Sequence, residues 1–64
     1  MSTPENPPFL TIIHAPNGYV VSIMEYNQVH DSYLAGKTSR PYTAKIDALR
    51  YAVVWAETDN LEIR

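Results

Sequence analysis

Cysteine is absent from the 64 residues, and with it go disulfides, thiolate zinc sites and cysteine nucleophiles. Glycine occurs only at Gly18 and Gly36, so no glycine-rich loop is available to cradle a phosphate. No apolar run approaches the roughly 18 residues that span a bilayer, and no membrane role is expected. The opening segment MSTPENPP has neither the basic stretch nor the apolar stretch of a secretory signal. Secreted domains this small usually carry disulfides, so the reducing cytoplasm is the expected compartment. Positive charge is missing from the whole first half. Residues 1–36 hold Glu5, Glu25 and Asp31 without a Lys or Arg. All five cations, Lys37, Arg40, Lys45, Arg50 and Arg64, come later, among Asp47, Glu57, Asp59 and Glu62. Phosphate contacts supply most nucleic-acid affinity and demand a basic stripe; a net charge of −2 and a base-free first half argue against that class. Seven carboxylates are too few for an acidic DNA mimic.

What remains is the composition of one small folded domain. Hydrophobic residues make up 45% and charged residues 19%, which is globular rather than disordered. A chain of this mass buries only about 60% of its unfolded surface, leaving little room for an enclosed catalytic cavity. Met1–Pro8, with three of the five prolines, reads as a flexible or extended tail; residues 9–64 form the domain. Phe9–His14 is a β-branched apolar run, and Tyr19–Tyr26 is a second. Between them, Pro16 presets φ and Asn17-Gly18 supplies positive φ, so the two runs form a β-hairpin. Both faces of the second run carry apolar groups, Tyr19, Val21 and Ile23 on one and Val20, Met24 and Tyr26 on the other, so its pattern does not choose the core face. Ser32–Ser39 has strand character weakened by Gly36, and Pro41 ends it.

From Ala44 to about Asp59 the period becomes helical, with Thr43 as the expected N-cap and Asn60 as the C-cap. Ala44, Ala48, Ala52 and Ala56 form a small-residue ridge that lets the helix lie close to a sheet. Ile46, Leu49 and Val53 are expected to fill one margin of that contact and Trp55 the other. Leu61–Arg64 alternates once and can add a short last strand. The expected fold is α+β, ββ(β)α(β): a three-stranded antiparallel sheet, four-stranded if the last segment joins, covered on one face by a single C-terminal helix.

No residue set reaches the threshold for chemistry. His14 and His30 with Asp31 fall short of the three or four ligands a metal needs; His14 ends a strand and His30 sits in a turn. Ser22, Ser32 and Ser39 lack a nucleophile-elbow context. No catalytic, cofactor or metal site is assigned, and no enzyme is expected. Partner binding is the better-supported class. Tyr51 and Val54 fall near the wet face marked by Asp47, Arg50 and Glu57, and exposed aromatics beside a polar rim are enriched at interfaces. Trp55 is expected in the core. Lys37, Arg40 and Lys45 are the one local concentration of cations; solvated, they cover apolar sheet with their stems. With Lys45 in the first helical turn they can also receive a partner's anion. The candidate partner-binding set is therefore Tyr51, Val54, Arg50, Lys37, Arg40 and Lys45. One helix covers one sheet face, so apolar groups on the other call for a target protein or a second copy in a homodimer.

The segment Ser39-Arg-Pro-Tyr42-Thr43-Ala-Lys45-Ile-Asp-Ala48 resembles the serine-x-x-tyrosine-serine/threonine-x-lysine-x-x-alanine pattern of the small YegP-like domains of unknown function. The likeness spans about residues 9–58 and implies short antiparallel strands before one helix. Leu49-Arg50 stands where that family often keeps Asn-Gly. In format, a proline-bearing tail before a ββ(β)α unit, the chain resembles short accessory proteins of bacteriophages and prophages, which implies an inhibitor of a host process or defence such as CRISPR or restriction. Three strands and an alanine-rich helix are also similar to AP2-like DNA-binding domains, which lay a basic sheet in the major groove. Here the first two strands have no Lys or Arg, and Glu25 sits in the second.

Overall fold

The computed structural model of the chain describes residues 6–64. Two β-branched runs around Pro16-Asn17 form strands β1 (Phe9–Ala15) and β2 (Gly18–Asn27), paired antiparallel from Phe9↔Met24 to Ala15↔Gly18. The reversal is the expected tight one. Pro16 and Asn17 are the two loop residues, and the positive φ falls on Gly18 at 132° rather than on Asn17. Strand β3 (Ser32–Thr38) follows, through a turn in which Asn27 Oδ1 accepts the Val29 and His30 amides at 2.9 and 3.1 Å. Asp31 sits there at φ 49°, a conformation that a short polar side chain tolerates. The weakness at Gly36 becomes a register shift in β3 between the pairs Ser22↔Thr38 and Met24↔Ala35.

Beyond β3 the chain stays bound to β2. Ser39 accepts the Val21 amide on its hydroxyl at 2.9 Å and donates its own amide to the Val21 carbonyl at 2.8 Å. Tyr42 and Tyr19 exchange two main-chain bonds of 2.7 Å each. Helix α1 (Lys45–Asp59) then begins one residue later than a Thr43 cap requires. Ala44 is the N-cap, in extended conformation and without a side-chain bond; its carbonyl accepts the Asp47 amide at 3.1 Å. Asp47 in the first turn offsets the missing cap by complementing the helix dipole. Asn60 closes the helix in the left-handed region, φ 54°, its amide bonded to Ala56, as expected of a C-cap. Strand β4 (Glu62–Ile63) lies parallel to β1, Phe9↔Glu62 and Leu10↔Ile63. The sheet order is β3-β2-β1-β4. The first three strands are antiparallel, and β4 makes the sheet mixed, because α1 supplies the crossover a parallel neighbour needs. This is an α+β layer of one sheet and one helix. No helix among the described residues is long and apolar enough to cross a membrane.

The core face is the one carrying Leu10 and Val21. These two, with Ala48 and Ala52, are wholly buried, and Ile12, Tyr19, Ile23, Tyr42, Trp55, Ala56, Leu61 and Ile63 pack around them. The alanine ridge is thus the contact line, with Ala44 exposed at its start. Replacing Ala52 by Leu is expected to cost about 1–3 kcal/mol by overpacking, measured by urea denaturation; a neutral result would place the ridge in water. One margin differs from expectation. Ile46, Leu49 and Val53 are 54%, 39% and 42% exposed. They lie roughly 100–160° around the helix from Ala48, beyond the reach of a sheet that the ridge touches at its centre.

Among the described residues, no helix covers the opposite sheet face. Phe9 and Tyr33 meet edge to face at 4.8 Å, Tyr26 and Tyr33 at 5.6 Å, and the Arg64 guanidinium lies 4.5 Å from the Phe9 ring centre. The expected tail Met1–Pro8 falls mostly outside the described residues; within them, the Pro7 carbonyl accepts the Tyr33 hydroxyl at 3.2 Å. Tyr26 donates its hydroxyl to the Asp31 carboxylate. That bond first, then desolvation and the nearby Tyr33 phenol, raises its pKa above the ordinary 10.0. A raised value favours the neutral phenol, so this contribution to stability is complete below the unfolded value and is lost as pH climbs through the folded one. Asp31→Asn is expected to bring the Tyr26 pKa back toward its ordinary value, read from tyrosine absorbance against pH.

Candidate interaction surface

Helix α1 rests on β1, β2 and β4 and leaves β3 outside its footprint. The step between helix and uncovered strand is an open groove of about 320 Å³, lined by Lys37, Tyr51, Val54, Trp55, Thr58 and Asp59. Helical spacing explains the wall: Tyr51, Trp55 and Asp59 recur every fourth residue, with Val54 and Thr58 one step outward. Tyr51 is 38% and Val54 62% exposed. Trp55, expected in the core, is half-buried and belongs to both regions. It packs against the core cluster, while its indole N–H donates to Asp59 Oδ2 at 2.9 Å. The indole nitrogen needs such a partner, which a wholly apolar core would deny it.

The aromatic wall continues toward the N-terminal end of the helix. Tyr51 and Trp55 ring centres are 5.8 Å apart, as are those of Tyr42 and Tyr51. The Arg40 guanidinium lies 5.3 Å from the Tyr42 ring centre, within the range of a cation–π contact. Of the six candidate residues, Lys37, Tyr51 and Val54 therefore meet in the groove, and Arg40 joins its aromatic extension. Lys45 and Arg50 are exposed but line no part of it. Thr58 and Asp59 were not candidates; the four-residue spacing from Tyr51 through Trp55 was the signal that leads to Asp59. Ile46, Leu49 and Val53, expected at the other margin of the sheet contact, form an exposed stripe on the opposite flank.

His14 and His30 are far apart in role. His14 stacks on Tyr19, ring centres 4.6 Å apart and planes within 12°, and His30 is exposed in the β2–β3 turn. The open sheet face carries Arg64, bonded to Glu62 at 3.2 Å, beside its aromatics. No family model matches the chain, no curated protein matches it in sequence, and no solved structure matches its fold.

Proposed function

We propose that this is a small non-enzymatic protein-interaction module, acting in the cytoplasm, whose target contacts the groove between β3 and α1. One observation carries the reading. The groove gathers an exposed aliphatic, two aromatic side chains and a cation, a composition favoured at protein interfaces. The resemblance in format to phage accessory proteins assigns the binding a purpose, inhibition of a host protein or of a defence such as CRISPR or restriction. Lys37 and Arg40 at the rim would meet acidic groups of the target.

Val54→Asp tests it. The side chain is mostly exposed, so the fold is expected to persist by circular dichroism, while recovery of one partner from host lysate falls at least about tenfold. Recovery is expected to survive nuclease treatment. A catch that disappears with nuclease and with raised salt would transfer the function to nucleic acid through Lys37, Arg40, Lys45 and Arg50.

A further inference from the structure

We propose that β3 receives an extended segment of the target protein as an added strand, and that an acidic side chain of that segment pairs with Lys37. The inference rests on the groove reading above and names how the groove is approached. β3 ends the sheet order and lies beyond the footprint of α1, so its outer edge is open among the described residues. The main-chain bonds show which groups that edge presents. In β2, Tyr19 bonds to Tyr42 and Val21 to Ser39 through both N–H and C=O, so the odd-numbered residues of β2 turn toward β3. Glu25 is one of them, and its register partner is Leu34, whose main chain therefore faces β2. Tyr33 and Ala35, one step to either side, turn their N–H and C=O groups outward. Those are the groups that another strand takes up.

Strict alternation would place Lys37 on the open face with Tyr33 and Ala35. The register shift prevents that. Between the pairs Ser22↔Thr38 and Met24↔Ala35, Gly36 and Lys37 together stand against Ile23 alone, the two-against-one count of a β-bulge. A Cβ at Gly36 would meet Ile23 and Glu25, and Ile23 packs on the core cluster, so Gly36 faces the helix side. The bulge turns Lys37 to that side as well, into the groove beside Tyr51 and Val54. There Lys37 makes no ion pair among the described residues. Charge is graded along the strand, with Asp31 before its start, the Glu25 carboxylate over Gly36, then Lys37 and, beyond, Arg40. An added strand therefore sets an apolar side chain against Leu34, which is 44% exposed. Two residues along, where the strand period returns to the same side, its neighbour is Lys37, and a carboxylate complements it. The bulge ends regular pairing at that point, so the added segment is as short as Ser32–Ala35.

A blocked Thr-Val-Thr-Glu-Thr peptide supplies this pattern, and Thr-Val-Thr-Lys-Thr is its control. Titrating the isotope-labelled chain with the glutamate peptide is expected to shift the Tyr33 and Ala35 amide signals in NMR and to slow their exchange, with a Kd of about 1–5 mM. The lysine peptide is expected to bind about fivefold or more weakly, and Lys37→Glu to reverse that order. A chain synthesised with N-methylalanine at position 35 lacks a donor that the fold does not use, so it is expected to stay folded and to lose the peptide. No shift at Tyr33 and Ala35 up to about 10 mM peptide, equal affinity for the two peptides, or an unchanged order in Lys37→Glu would overturn the proposal. So would a mass that rises with concentration in the protein alone, since a second copy would then hold the edge. If Val54→Asp loses its lysate target while the N-methyl chain keeps it, the groove reading stands and strand addition falls. A target indifferent to Val54→Asp, with Tyr33 and Ala35 still answering the peptide, would have the opposite meaning.

Discussion

Leu10→Ala is expected to lower the unfolding free energy by about 2–5 kcal/mol. A domain of this length holds only about 3–10 kcal/mol in total, so the variant should be largely unfolded near 37 °C. Among the described residues the wholly buried hydrophobics are Leu10, Val21, Ala48 and Ala52; two of the four are alanines, and Leu10 and Val21 supply most of the volume. Leu10 sits between Ile23 of β2 and Ile63 of β4 in the ladder, and its carbonyl accepts the Arg64 amide at 2.8 Å. Its side chain thus fixes the strand to which the last strand is anchored. The alanine ridge opposite has no longer side chain that can swing in, and a cavity left unfilled adds to the lost transfer energy. Urea denaturation should show a lower midpoint with an unchanged slope. A loss below about 1 kcal/mol would mean that the core collapses around the gap. Ile13→Ala, on the open face and already 40% exposed, is expected to cost far less.

The hairpin, the third strand, the helix and its alanine contact line were legible because each is a local pattern: an apolar run, a turn tripeptide, a four-residue repeat. Local patterns do not say where a strand sits in a sheet. Leu61–Arg64 could be read as strand-like, but its parallel place beside β1 depends on how far α1 carries the chain across the sheet. The core face was equally hidden, since Val21 and Met24 are both apolar and only the position of the helix distinguishes them. Thr43 failed as a cap because Tyr42 is held to Tyr19 by two main-chain bonds, which sets where the chain can begin to coil. The candidate surface was half visible. Tyr51 and Val54 follow from helical phase alone, whereas their meeting with Lys37 depends on the uncovered β3. Lys45 and Arg50 were grouped with it by charge, and charge along a chain carries no information about which side of a helix a groove lies on.

Gly18→Ala is expected to cost about 3 kcal/mol or more, although it adds a single methyl group at a half-buried turn. Two penalties coincide there. The φ of 132° is a conformation that L-residues rarely adopt, and strain of this kind costs about 1–3 kcal/mol. A Cβ would also be driven into the carbonyl group of Tyr42, which is backbone and can yield only by moving. That carbonyl accepts the Tyr19 amide, and Tyr42 returns a bond to Tyr19, each worth about 0.5–1.5 kcal/mol net. Relieving the clash therefore breaks the bridge that ties the segment before α1 to the start of β2. The effect should reach the groove, because Tyr42 borders Tyr51 and holds Arg40. Amide exchange separates the two contributions. With both penalties present, the Tyr19 and Tyr42 amides lose protection before the rest of β2. Strain alone would lower all of the hairpin amides together and leave the Tyr19–Tyr42 pair no faster than its neighbours, and that outcome would remove the bridge from the account.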